Sequence, residues 1–159
     1  MAEEEVVAQD ARDKAREIAL ARFAELFNCA EATAMGLAEA FDLDASCLPR
    51  IATGFGAGMG GWGEVCGALV GATMALGLRF GRDRADDVET KNTVYAMVRE
   101  LLEDFEQEFG TIRCYGLTEC DMRTPEGMQE ARDRKLHTEF CPKFVAWIAE
   151  KAAEILARG

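Results

Sequence analysis

Six cysteines hold most of the chemistry this sequence could perform: Cys29, Cys47, Cys66, Cys114, Cys120 and Cys141. Three of them stand where a helix is expected to begin. Cys29 follows Asn28, a strong capping residue. Cys66 opens an apolar run behind a glycine-dense stretch, and Cys141 immediately precedes Pro142. A helix N-terminus carries about half a positive charge and unpaired backbone N–H groups. Both favour a thiolate over a thiol, so lowered thiol pKa values are expected at these three positions. A thiolate is the nucleophile of disulfide exchange and equally a ligand for a metal. Several such N-termini converging on one point would stabilise an anionic centre.

The spacing points the other way. No Cys-x-x-Cys occurs, so the usual thioredoxin and zinc-ribbon signatures are absent. Only Cys114 and Cys120, with five residues between them, are close in sequence. Any ligand set must therefore be gathered from the whole chain by the fold. The pair Cys141-Pro142 matches the ending of some iron–sulfur runs, but a dipeptide says little. Buried, chemically inert thiols remain the alternative, because free cysteine is among the most buried residue types.

The glycines next to Cys66 are the second candidate feature. Eight of the 15 glycines lie between Gly54 and Gly71. Gly56, Gly58 and Gly61 fit a G-x-G-x-x-G spacing, yet no strand precedes them and no Gly-Lys-Ser/Thr follows, so no nucleotide is expected. The better account is that Gly58, Gly60, Gly61 and Gly67 let backbone approach a cofactor, or another helix, beside Cys66. His137 follows a charged run and reads as a surface residue. Trp62 and Trp147 read as core or interface anchors. Glu64 reads as a first-turn carboxylate interacting with a helix dipole, with proton acceptance for Cys66 as the alternative.

These side chains must be positioned by helices, because no run of alternating apolar and polar residues appears. Ala11 to Phe27 has amphipathic helical spacing. Asn28 with Glu31 forms a capping pattern for a second helix, Cys29 to about Phe41. A short helical piece is expected around Pro49 to Thr53, then an irregular glycine loop from Gly54 to Gly63. Glu64 to Leu78 reads as a buried helix with Gly67, Gly71 and Ala75 along one edge, where another helix could approach closely. Asp83 to Phe109 carries an apolar stripe of Val94, Met97, Val98, Leu101, Leu102 and Phe105, and stops at Gly110. Thr111 to Asp121 is a connector or a single turn. Thr124-Pro125 and Cys141-Pro142 each start a helix. The expected fold is all-α: a compact helical bundle in which a glycine-rich loop leads into a buried central helix. It occupies residues 1–159 as a single helical domain.

With 159 residues and a formal net charge of −11, the chain repels nucleic acid and anionic lipid. No nucleic acid and no membrane are expected as partners. Acidic character suits a carrier that docks onto a basic redox partner protein, or it only keeps the chain soluble. The acidic start, Met1 to Glu5, lacks the features of a signal peptide, and the apolar run Val65 to Leu78 is too short to span a bilayer. The chain is therefore expected to be cytoplasmic, where thiols stay reduced and six cysteines point to metal or redox chemistry.

The elements Asn28-Cys29-Ala30-Glu31-Ala32, Ile51-Ala52-Thr53-Gly54-Phe55-Gly56 and Glu64-Val65-Cys66-Gly67-Ala68-Leu69-Val70-Gly71 resemble the redox-active protein family named for its C_GCAxxG_C_C cysteine pattern. Cys114 with Cys120-Asp121, Thr124-Pro125-Glu126-Gly127 and Cys141-Pro142-Lys143-Phe144-Val145 extend the match from about residue 27 to residue 155. The resemblance implies that Cys29, Cys66, Cys114 and Cys141 are the defining four. It makes Cys120 a rival fourth ligand and leaves Cys47 outside the pattern. It also implies an iron–sulfur cluster for electron transfer or redox sensing, with zinc as the weaker metal. The alternatives are a thiol–disulfide oxidoreductase using Cys66 and Cys29, and a helical scaffold with inert thiols. A homodimer is compatible with each.

Overall fold

The structure, a computed structural model, describes residues 2–159; Met1 of the acidic start lies outside them. The elements in chain order are α1 (Ala2–Ala24), α2 (Cys29–Ala40), α3 (Leu48–Ala52), α4 (Gly56–Met59), α5 (Gly67–Phe80), α6 (Val88–Phe109), α7 (Cys114–Thr118), α8 (Pro125–Asp133) and α9 (Pro142–Leu156). A 3-10 turn at Thr53–Phe55 precedes α4, and a π turn at Leu136–Phe140 precedes α9. The all-α expectation holds: among the described residues there is no strand, only an isolated antiparallel bridge between Val65 and Arg113. No described helix is long and apolar enough to cross a membrane.

The core is where α1, α2, α5 and α9 pack against one another. Leu37, Leu69, Leu76, Ile148, Ile155 and Leu156 are fully buried there. Each such side chain contributes roughly 1.5–3 kcal/mol through burial. Small residues set the helix spacing. A methyl group on Gly36 would lie 2.7 Å from the Ala19 backbone N, so α1 and α2 touch along their backbones. A methyl group on Gly71 would collide with the Ala30 carbonyl and stand 3.0 Å from the Ala34 N, so α5 lies equally close to α2. The expected small-residue edge of α5 is therefore a helix contact. Helix α6 lies across this group. Leu101 and Phe105 of its expected stripe are buried, whereas Val94, Met97, Val98 and Leu102 are only half-buried. Trp147 does anchor the core, with ring centroids 5.6 Å from Phe105 and 5.7 Å from Phe109. Trp62 does not, being 61% exposed with the Arg123 guanidinium 5.2 Å from its ring centre.

Several boundaries differ from expectation. Helix α1 begins at Ala2 rather than Ala11. It ends at Ala24, where Leu26 turns left-handed (φ 73°) and Phe27 N–H reaches back to the Arg22 carbonyl at 3.3 Å. Helix α6 begins at Val88 rather than Asp83. The Asp87 side chain accepts from Thr90 N–H at 3.1 Å, and this cap fixes the start. Helix α5 begins at Gly67, so Cys66 is the residue before the helix and not part of its first turn.

The expected capping box at α2 is present. Asn28 Oδ1 accepts from the Ala30 and Glu31 N–H groups at 3.0 Å each, and Glu31 Oε2 accepts from Asn28 N–H at 2.7 Å. Glu31 Oε1 also accepts from the Thr53 hydroxyl at 2.6 Å, which ties α2 to the segment entering the glycine stretch. That stretch is not irregular. Ala57, Gly58, Met59 and Gly60 all have positive φ (53°, 69°, 71° and 59°), so the chain makes one left-handed turn. Its hydrogen bonds reach back along the chain, with Gly61 N–H donating to the Gly56 carbonyl at 3.2 Å and Glu64 N–H to the Gly58 carbonyl at 2.9 Å. Glycines make this handedness inexpensive; Ala57 and Met59 adopt it at some cost because their neighbours do.

Candidate functional site

Four cysteines from four separate helix starts line one cavity of about 460 Å³: Cys29, Cys66, Cys114 and Cys141. Each is fixed by backbone hydrogen bonds. Cys29 is the first residue of the capped α2. Cys66 N–H donates to the Ile112 carbonyl at 2.8 Å, and Cys114 N–H donates to the Glu64 carbonyl at 2.6 Å. With Tyr115 N–H to the Gly63 carbonyl at 3.0 Å, these bonds staple residues 63–66 antiparallel to residues 112–115. The staple places Cys66 and Cys114 diagonally across the Val65–Arg113 bridge. An ion pair between Glu64 and Arg113 at 2.9 Å closes its outer edge, and Glu64 lies before α5 and not in its first turn. Cys141 joins the π turn to α9, with its N–H donating to the Leu136 carbonyl at 2.7 Å.

The remaining two cysteines lie elsewhere. Cys47 is exposed at the start of α3. Cys120 is buried, but its Sγ donates to the Gly127 carbonyl at 3.0 Å and it lines a neighbouring groove instead of the cavity. All six are free thiols. The cavity walls are largely apolar, with Phe23, Leu117, Met122, Met128, Leu136 and Phe144 among them. His137 is half-buried in the wall, not on the surface. Its ring lies on Phe23 with centroids 3.8 Å apart, and Nε2 is 2.7 Å from the Phe23 carbonyl. The sequence signalled this only through the proximity of His137 to Cys141.

Two of the four singled-out glycines face the thiols. A methyl group on Gly67 would lie 2.5 Å from Cys29 Sγ, and one on Gly58 would lie 2.7 Å from Cys114 Cβ. Gly60 and Gly61 face other backbone and serve the left-handed turn.

The expected lowering of the thiol pKa values is reversed. Burial pushes the Cys29 thiol up, although N–H groups of Ala57, Ala30, Cys29 and Gly67 pull it down. Burial, together with charge on Cys29 and Cys114, pushes Cys66 well up. Burial raises Cys114 to about 11 and Cys141 to about 12, with charge on Cys29 adding to both. The helix ends do act on the sulfurs, but loss of hydration and mutual repulsion are larger. An uncompensated thiolate is therefore disfavoured here, and a cationic group entering the cavity would supply what ionisation lacks.

This reversal sets an alkaline limit on the metal-free protein. In the unfolded chain a thiol ionises near its ordinary value of about 8.5 to 9. Cys114 and Cys141 keep their protons when folded until about pH 11 and 12. Between those limits the unfolded chain binds fewer protons, so stability falls as pH rises. Below about pH 8 both states hold the proton and the contribution is constant. Urea midpoints should be unaffected by these two thiols up to about pH 8 and decline above it, at up to ~1.4 kcal/mol per pH unit for each thiol. A Cys114→Ser, Cys141→Ser double variant should lose much of the decline. A variant that declines as steeply as the parent would refute the assignment.

A model of the family described as "Putative redox-active protein (C_GCAxxG_C_C)" matches residues 27–155. The chain belongs to this family. The matched region begins at Phe27 and ends at Ile155, and so contains all four cavity cysteines. Neither a curated protein nor a solved structure matches the chain.

Proposed function

We propose that this protein transfers or senses electrons through an iron–sulfur centre held by Cys29, Cys66, Cys114 and Cys141. The observation that carries the reading is the convergence of four thiols, from four helix starts, on one apolar cavity. Among the described residues, no three His, Cys, Asp or Glu side chains are drawn together closely enough to hold a single metal ion. A zinc ion needs its sulfurs at about 2.3 Å from one point. Thiols spread around about 460 Å³ suit a multi-atom centre better. Such a centre supplies one-electron transfer when bound. The chain's own part is to provide four thiolates, to aim the N–H groups around Cys29 at sulfur, and to exclude water with the apolar walls. The basic redox partner expected from the net charge of −11 belongs to this reading.

A second reading, thiol–disulfide exchange, is favoured by the staple that brings Cys66 and Cys114, diagonal across it, to one cavity. It is opposed by burial, which suppresses the attacking thiolate.

The test is metal and acid-labile sulfide analysis, with visible and electron paramagnetic resonance spectra, on anaerobically purified protein before and after reconstitution with iron and sulfide. Stoichiometric iron and sulfide with reducible visible bands are expected. Colourless protein that cycles between dithiol and disulfide would replace the iron–sulfur reading with the exchange reading. Thiols inert in both assays would leave only packing.

A further inference from the structure

The cavity wall carries more than the thiols. Phe23, Met128, Leu136 and Val145 also line it, and so do two cations, Arg132 and Lys135. The chain has 29 Asp and Glu residues against 18 Lys and Arg, yet no carboxylate is among the residues lining this cavity. Lys135 is paired with Glu139 at 3.0 Å. Arg132 instead donates to the neutral Gln129 Oε1 at 2.8 Å, leaving its charge uncompensated by a bonded carboxylate. The other polar side chains in the wall are largely occupied: Asn28 caps α2, the Thr118 hydroxyl donates to the Cys114 carbonyl at 2.9 Å, and His137 meets the Phe23 carbonyl. A volume of about 460 Å³ lies within the range of small-molecule sites, which are mostly apolar with a few polar groups that fix orientation.

We propose that the cavity binds a small amphipathic carboxylate, its apolar chain along Phe23, Leu136 and Val145 and its carboxylate on Arg132. The inference goes beyond the redox reading, because none of the residues it uses is a cysteine. Guanidinium is suited to this role, since it stays charged and pairs with carboxylate in a planar, two-bond geometry. The apolar walls provide affinity, and the absence of carboxylates provides the preference for an anion.

The test is isothermal titration of the purified protein with octanoate, octanol and octylammonium, chosen for equal chain length and different head charge. Octanoate should bind with one-to-one stoichiometry, at least about tenfold tighter than octanol, and octylammonium more weakly still. Arg132→Gln should weaken octanoate about tenfold and leave octanol unchanged; Arg132 is exposed, so the variant should fold. Octanoate should also slow alkylation of the half-buried Cys29 and Cys141 while leaving the exposed Cys47 unaffected. Equal affinity for octanoate and octanol, no binding of octanoate, or an unchanged Arg132→Gln variant would each overturn the proposal. Iron content measured on the same samples separates the two readings: octanoate binding bears on this site, and iron and sulfide content alone bear on the redox centre.

Discussion

Cys66→Ser should retain the helical content of the parent and lose more than about tenfold of its bound iron. Loss of an outer partner of a metal ligand already costs about 10–100-fold in affinity, and loss of the ligand itself should cost no less. Cys66 is only 7% exposed and feels the charge of Cys29 and Cys114. Serine is close to cysteine in size, and the bond from the residue-66 N–H to the Ile112 carbonyl does not depend on the side chain. The staple should therefore survive. Two further variants make the result specific. Cys47→Ser should keep full iron, because Cys47 is exposed at α3. Cys120→Ser should also keep it, because the Cys120 sulfur points to the Gly127 carbonyl and lines the neighbouring groove. The measurements are circular dichroism, iron content and visible absorption across the set. Iron lost from Cys120→Ser and kept in Cys66→Ser would overturn the choice of ligands. Equal iron in all variants would return the cysteines to packing residues.

Gly71→Ala and Gly77→Ala are the same substitution in the same helix, and they should change stability in opposite directions. A methyl group at Gly71 would collide with the Ala30 carbonyl and crowd the Ala34 N, so α5 and α2 must separate. Overpacking of this kind typically costs about 1–3 kcal/mol, and here the obstacle is backbone that cannot rotate away. At Gly77 a methyl group meets nothing within 4 Å. That variant should gain roughly 0.5–1 kcal/mol, because alanine favours the helix interior over glycine. For a chain of this size, each 1 kcal/mol moves the melting temperature by about 2–4 °C. The two variants should thus melt on opposite sides of the parent, separated by several degrees. Since the clash is at Ala30, next to Cys29, Gly71→Ala should also disturb the cavity wall at Cys29. Gly71→Ala melting at or above the parent would mean that the two helices are not held at backbone contact.

The residues alone were enough for what depends on short-range physics. Asn28 with Glu31 specified a capped helix start because both reciprocal hydrogen bonds form within four residues. Thr124-Pro125 and Cys141-Pro142 marked helix starts because proline fixes φ and lacks an N–H that a first turn does not need. Gly110 ended α6 by adopting a left-handed φ of 84°. The cysteine and glycine spacing was specific enough to carry the family, which the match over residues 27–155 bears out.

Other features were decided only by contacts distant in sequence. The staple between residues 63–66 and 112–115 is too short to leave an alternating pattern, yet it brings Cys66 to Cys114. His137 sits in a charged run, but the left-handed Lys135 and the π turn swing it onto Phe23, over a hundred residues earlier. Cys120, close to Cys114 in sequence, is carried away by the left-handed turn at Glu119 that ends α7. Thiol ionisation was misjudged for the same reason. A helix start can be read from neighbouring residues, and its field lowers a thiol pKa; burial by α5, α7 and α9 is a tertiary effect and outweighs it. Sequence by itself determined the capped and proline-marked helix starts, the Gly110 stop and the family that they compose. The tertiary structure decided which sulfurs share a cavity and how much water they lose, because both depend on packing between segments that no local pattern records.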